Sequence, residues 1–284
     1  MPLTVAQTPV QHHPANTVGR DFVVADLHGC LDLFWRLLRH VGFNPELDRV
    51  YSTGDLTDRG PNSWGCLRLL KMPWFFSALG NHDALLLSHL RMPTRVLPHE
   101  EAWLADISPS LGGRQAFADA WIETLSRLPA VHVIGAGTSG RFQVVHAELL
   151  NDGSRVTEAM IDSWSFSNPT KSLERATYGR ALINAWKKDA PVRNVHDPKM
   201  GPIFCGHTIV PRASWLGRQV YLDMGAFLGH AEDLDEGENL SSTPMRNPGL
   251  VMVEATRQPL HAWLAPTRQA DKVVPLTLST LDTY

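Results

Sequence analysis

Short apolar runs alternate with segments of helical periodicity from residue 21 onward. Residues 21–25 (DFVVA) form an apolar run that ends in the polar turn Asp26-Leu27-His28-Gly29. Leu31, Phe34, Leu38 and Val41 then recur at helical spacing, with Arg36, Arg39 and His40 on other faces. Residues 49–53 (RVYST) predict a second strand, followed by a Gly/Asp turn and a helix opening at Pro61, a first-turn position that suits proline. Residues 74–79 (WFFSAL) predict a third strand and 84–90 the start of a third helix. Strand–helix–strand–helix–strand with short connections calls for a parallel sheet with right-handed crossovers.

Beyond this unit, residues 89–127 read as an irregular helical insertion placed to cap a site, and 130–134 and 141–146 as strands. Residues 171–188 predict one helix, and 202–205, 214–216, 219–222 and 250–254 four further strands whose close spacing in the middle suggests antiparallel pairing. Residues 1–20, polar and Pro-containing, read as a flexible tail without the basic start and apolar core of a secretory signal, leaving 21–284 as one domain of two packed sheets. The acidic stretch 232–238 (EDLDEGE) reads as a solvated loop.

Composition narrows the class. With 43% hydrophobic residues the chain can bury a core, and no apolar run is long enough to span a membrane. The balance of 26 Lys+Arg against 29 Asp+Glu gives a net charge of −3 without a basic cluster, which argues against nucleic-acid partners. Three scattered cysteines, Cys30, Cys66 and Cys205, suit free thiols in a cytoplasmic protein better than a disulfide frame.

The chemistry lies where the strands end. The first three run into Asp26-x-His28, Gly54-Asp55-x-x-Asp58-Arg59-Gly60 and Gly80-Asn81-His82-Asp83, and two later ones into His146 and Gly206-His207. Ends of parallel strands share one edge, where α/β proteins bind ligands. Asp26 and His28, two apart on extended chain, leave the same face, and Asp55 between the other clusters is the natural bridge because a carboxylate has two oxygens to share. Carboxylate, amide and imidazole without thiolate suit two divalent cations such as Mn²⁺, with Fe or Zn²⁺ possible. Asp-x-His alone is a weak signal, and Asp26 taken alone reads equally well as a helix N-cap. Gly-Asp-x-x-Asp-Arg-Gly fixes five residues, a chance match of roughly one in 10⁴ for a chain of this length.

DLHG, GDLTDRG, GNHD, the strand-end His146, Gly206-His207-Thr208 and Tyr221-Leu222-Asp223-Met224-Gly225-Ala226 together resemble the metallophosphoesterase superfamily. Within it they are similar to the phosphoprotein phosphatases, especially the small bacterial and bacteriophage lambda type serine/threonine phosphatases. The resemblance implies an α/β fold, a four-layer α/β/β/α sandwich with mixed sheets. It implies one metal on Asp26, His28 and Asp55 and a second on Asp55, Asn81, His146 and His207. It further implies His82 as general acid oriented by Asp58, Arg59 as phosphate-binding arginine, and attack by a metal-bridging hydroxide. Asn81 and His82 are adjacent, so one side chain can face the metal while its neighbour faces the substrate, and Asn81 is expected to serve the substrate phosphate as well as the metal. A second phosphate arginine follows a Trp-x-Arg pattern in the family; Tyr178-Gly179-Arg180 matches it with Tyr for Trp, the alternative being an ordinary solvated helix arginine.

Ile209 stands where the phosphodiesterases of the superfamily carry a second histidine, and an aliphatic side chain cannot ligate. Symmetrical diadenosine tetraphosphatases share GDL-x-x-RGP and GNHD but usually have alanine where this chain has Asp58. The expectation is therefore a serine/threonine protein phosphatase. GNHD in place of the commoner GNHE keeps diadenosine tetraphosphate hydrolysis as the alternative. A binding scaffold that has lost its chemistry is a second alternative, opposed by the intact ligand set. The expected partners are a phosphorylated protein or small phosphoester, with no nucleic acid and no membrane.

Overall fold

A computed structural model describes residues 8–92, 102–151, 154–165, 170–190, 195–230, 247–269 and 271–281. In chain order its strands are β1 (Val10–His13), β2 (Asp21–Val24), β3 (Arg49–Ser52), β4 (Phe75–Ser77), β5 (Val131–Ile134), β6 (Phe142–Val145), β7 (Ile203–Cys205), β8 (Ser214–Leu216), β9 (Gln219–Tyr221), β10 (Gly249–Glu254), β11 (His261–Pro266), β12 (Val274–Leu276) and β13 (Ser279–Thr280). The helices are α1 (Leu31–His40), α2 (Ser63–Arg68), α3 (Asn81–Arg91), α4 (Ala102–Ile107), α5 (Arg114–Ser126), α6 (Glu158–Asp162), α7 (Lys171–Tyr178) and α8 (Ala181–Lys187).

The strands form two mixed sheets, one of six in the order β12-β11-β10-β2-β3-β4 and one of seven in the order β1-β5-β6-β7-β9-β8-β13. The unit β2-β3-β4 is parallel, as its helical crossovers require, and β8 pairs antiparallel with β9. The sheets pack face to face. Val23 and Tyr51 of one face Phe142, Val144, Phe204 and Val220 of the other, the Tyr51 ring lying 5.9 Å from that of Phe142, while Phe22, Val24 and Val50 on the opposite face continue the core onto Leu33, Phe34, Leu37 and Leu38 of α1. Strand alternation sends the neighbouring Val145, Cys205 and Tyr221 to the opposite face of the seven-stranded sheet, where Leu173, Ala176, Leu182 and Ile183 of α7 and α8 cover them. Two sheets between two helical coverings make the expected α/β/β/α sandwich. A third cluster joins α4 and α5 to α2 and α3 through Leu67, Leu86, Leu90, Leu104, Phe117 and Trp121.

Four local expectations differ from the structure. Residues 10–13, expected in the flexible tail, form β1 parallel to β5, because Val10 and His13 are buried and the His13 ring packs edge-on against Phe76 at 4.7 Å. The helix expected from Pro61 opens at Ser63, where the Asn62 side chain accepts from the Gly65 amide. The helix expected over 171–188 breaks into α7 and α8 at Gly179 and Arg180. Strands β11, β12 and β13 were not anticipated; β11 pairs along its whole length with β10. Residues 1–7 of the expected tail, 93–101 of the insertion and the acidic stretch 232–238 lie outside the described residues.

Candidate active site

The strand ends of both sheets meet in one cleft, and contacts across the gap show it. The Asp26 carboxylate, just past β2, accepts from the backbone amide of His207, just past β7, at 2.7 Å. His146, just past β6, donates through Nδ1 to the backbone carbonyl of Thr53, just past β3, at 3.0 Å. Tight turns aim the side chains inward. His28, Asp55, Asp58, Arg59 and His207 all have positive φ, and only Asp189 and Asp271 share that among the other described non-glycine residues. Such strain is held only where surrounding structure over-determines it. Two glycines make the approach possible. Gly54 has φ +110°, and a Cβ there would lie 2.7 Å from the Gly80 amide nitrogen; a Cβ on Gly206 would lie 1.8 Å from Asp26 Oδ1.

Among the described residues, ligand-capable atoms gather into two buried triads that share Asp55: His28, Asp55 and His82, and Asp55, His146 and His207. Asp55 Oδ2 lies 3.4 Å from His28 Nε2 and 3.5 Å from His146 Nε2. Asn81 Oδ1 lies 2.9 Å from His146 Nε2 and 2.8 Å from His207 Nδ1, which are 3.1 Å from each other. Separations of about 3–3.5 Å are those of ligand atoms sharing one ion with bonds near 2.1 Å. The outer nitrogens are engaged as metal-binding histidines usually have them: His28 Nδ1 donates to the Thr57 carbonyl at 3.0 Å and His146 Nδ1 to that of Thr53. Asp26 lines the same floor, one oxygen accepting from Thr53 Oγ1 at 2.5 Å and the other from the His207 amide, which leaves each oxygen a further lone pair, and His82 also lies within ligand reach of His28 and Asp55.

The electrostatics fit a cation. Asp26, Asp55, Asp83 and Asp223 are all buried. Burial, reinforced by Asp223 and Asp55, lifts Asp26 well above the carboxylate range. Burial, ahead of the opposing Gly225 amide and Arg59, lifts Asp223 to about 6, and burial with the charge of Asp55 lifts Asp83 to about 7. Burial works against Asp55 as well, but His146, His28 and His82 outweigh it and hold Asp55 low. Burial pushes His28 down to about 3 and His207 to about 2, and lowers His146. Neutral imidazoles offering lone pairs beside crowded carboxylates are the donor set a divalent ion needs.

At one corner of the first triad, His82 Nδ1 lies 2.9 Å from Asp58 Oδ2. Burial opposes protonation of His82, yet the Asp58 hydrogen bond and the charge of Asp55 raise its pKa. Arg59 is exposed and its guanidinium lies over the Phe227 ring at 4.7 Å. Arg180, in the break between α7 and α8, reaches the His207 carbonyl through Nη2 at 3.4 Å, so it borders the cleft instead of sitting inside a solvated helix. Asp26 is not an N-cap: Cys30 occupies that position of α1.

Several supporting residues escaped the sequence reading. The Asp83 carboxylate accepts from the amides of Asp55 at 2.9 Å, Leu56 at 3.1 Å and Gly80 at 3.0 Å, tying the second loop to the third. An acid three residues after Gly80 at a helix start was the available signal. Glu148 accepts from Leu182 N at 2.9 Å, Ile183 N at 3.0 Å and the Tyr221 hydroxyl at 2.8 Å, fixing the start of α8 beside Arg180. Trp103 donates from Nε1 to Asp58 Oδ1 at 3.0 Å, with no local motif to announce it.

The profile of the calcineurin-like phosphoesterase family matches residues 22–219. Serine/threonine-protein phosphatase 2 of Salmonella typhimurium is 29% identical over 211 residues, covering 72% of this chain and 87% of that relative. A symmetrical bis(5'-nucleosyl)-tetraphosphatase of Glaesserella parasuis is 44% identical over 82 residues, which span 28% of this chain and 30% of that relative. Among solved structures, a protein serine/threonine phosphatase from Saccharomyces cerevisiae aligns with a TM-score of 0.54 at 14% identity, covering 98% of this chain and 86% of that one. The match runs from β2 to the start of β9 and takes in each loop that delivers a ligand-capable side chain to the cleft; the chain belongs to the calcineurin-like phosphoesterase family and is a metal-dependent phosphoester hydrolase.

Proposed function

We propose that the protein is a dinuclear-metal phosphomonoesterase that removes phosphate from phosphoserine and phosphothreonine side chains of proteins. Asp26, His28 and Asp55 would hold one ion and Asp55, Asn81, His146 and His207 the other, with Mn²⁺ the ion expected from oxygen and imidazole donors and Fe or Zn²⁺ the alternatives. Such ions, when bound, acidify coordinated water and neutralise phosphoryl charge. Arg59 and Arg180 flank the phosphoryl oxygens with fixed positive charge, joined by the Asn81 amide. An alkoxide is a strongly basic leaving group, and His82 supplies its proton as the P–O bond breaks. Asp58 keeps the imidazole oriented and favours the protonated form. The three buried free thiols suit the reducing cytoplasm.

The observation that carries this reading is the 2.9 Å contact between His82 and Asp58, since a raised imidazole pKa serves an alkoxide leaving group above all. Asp83 in Gly80-Asn81-His82-Asp83 and the tetraphosphatase-like 82-residue match favour a second reading, hydrolysis of diadenosine tetraphosphate. A substrate panel with purified protein and added Mn²⁺ separates the two. It compares a phosphoserine peptide, a phosphotyrosine peptide, p-nitrophenyl phosphate, a bis-ester analogue and diadenosine tetraphosphate. The phosphoserine peptide is expected to give the highest kcat/KM of the biological substrates. Dominant cleavage of the dinucleotide would replace the first reading with the second.

A further inference from the structure

We infer that Trp103, carried by α4 of the helical insertion, is a positioning residue for proton donation, clamping the Asp58 carboxylate so that its other oxygen faces His82. The inference rests on the reading of His82 as general acid. The two oxygens of Asp58 are divided between two donors: Oδ2 receives His82 Nδ1 at 2.9 Å and Oδ1 receives the Trp103 indole N–H at 3.0 Å. The Asp58 backbone is also pinned. Its φ is +72°, and its amide donates to Ser63 Oγ at 2.8 Å. What remains free is rotation of the carboxylate about its last torsion, which is broad and roughly two-fold in aspartate. A donor on each oxygen removes that freedom.

The indole is itself anchored. Trp103 packs against the cluster that joins α2, α3 and α5, with its ring 6.1 Å from that of Phe117 in an edge-on contact. Asp58 follows β3 on a motif loop, whereas Trp103 arrives from an element 45 residues later. The insertion therefore does more than border the cleft: it supplies the outer half of a Trp103–Asp58–His82 relay of hydrogen bonds. Loss of the indole N–H leaves Asp58 in place but free to turn, and His82 less often aimed at the leaving oxygen.

The test measures kcat and KM with Mn²⁺ on a phosphoserine peptide, whose leaving group needs a proton, and on p-nitrophenyl phosphate, whose leaving group does not. Trp103→Phe keeps the ring and removes the donor. It is expected to lower kcat on the peptide about tenfold at unchanged KM, and kcat on p-nitrophenyl phosphate by less than about twofold. Adding Trp103→Phe to Asp58→Asn is expected to cost nothing further, because both act through one contact. Trp103→His, which retains a ring N–H, is expected to regain most of the loss, and it covers the case in which the phenylalanine variant folds poorly. Equal losses on both substrates, additive losses with Asp58→Asn, or the same shortfall in the His and Phe variants would each overturn the inference. His82→Asn serves as the reference. Leaving-group contrast there but not in Trp103→Phe overturns the Trp103 role alone, and its absence in both overturns the acid assignment as well.

Discussion

Burial alone would strip His82 of its proton; Asp58, bonded to Nδ1, reverses that and raises its pKa. In the proposed acid role, the ring nitrogen opposite the one bonded to Asp58 would deliver the proton. His82→Asn is expected to lower kcat on a phosphoserine peptide by about 10²–10⁴-fold with metal content unchanged, and near-normal turnover would remove the acid assignment. Asp55→Asn should lose metal as well as rate, since Asp55 Oδ2 stands between the imidazoles of both triads; elemental analysis finding two ions per chain in that variant would contradict the bridge. Buried histidines away from the cleft also couple stability to pH. Burial holds His132 down to about 3 and His13 to about 4, against an ordinary value of 6.5. Below pH 6.5 the unfolded chain takes up protons at these two histidines that the folded chain refuses, so their contribution to stability falls as pH drops from 6.5 towards 4, while the raised carboxyls of Asp83 and Asp223 act in the opposite sense. In urea unfolding across that range, His132→Phe is expected to flatten the slope by about 1.4 kcal/mol per pH unit. An unchanged slope would show that His132 does not titrate with unfolding.

At the scale of elements, the readable parts were those whose local pattern and global role agree. The strands β2, β3 and β4 announce themselves as apolar runs ending in polar turns, and the strand ends at His146 and His207 do the same. The break between α7 and α8 was hidden, because Gly179 and Arg180 sit inside an otherwise continuous helical pattern. What stops the helix is tertiary: Glu148, distant in sequence, accepts the amides that open α8. Glu148→Ala would leave those amides and the Tyr221 hydroxyl buried without their partner. It is expected to destabilise the fold by about 3 kcal/mol or more in chemical denaturation and to raise KM through displacement of Arg180. Wild-type stability would show that other groups hold the break. β1 was hidden for a different reason. Its two histidines read as polar tail, yet His13 is a core residue bonded to His132 at 3.0 Å. β11 carries a weak alternation and depends on pairing with β10, which local sequence cannot show.

Across the whole molecule, the cleft was legible because five loops carry its chemistry in motifs, while Trp103 and Glu148, which support it, were not, because they act through contacts made only when distant segments meet. The two sheets bring four buried carboxylates together, Asp26, Asp55, Asp83 and Asp223, and their mutual repulsion makes the folded chain a better receptor for divalent cations than the unfolded one. Among the described residues no helix is long and apolar enough to cross a membrane. Chelation is expected to lower the melting temperature and Mn²⁺ to restore it, with the rise growing with Mn²⁺ concentration; a melting temperature indifferent to both would deny a folded-state metal site. Anomalous diffraction from Mn²⁺-loaded crystals, collected at the manganese edge, tests the assembly most directly. The expected result is two peaks about 3.5–4 Å apart on either side of Asp55, one beside His28 and the other among Asn81, His146 and His207. A cleft without a peak, or with a single peak away from Asp55 at full loading, would contradict it.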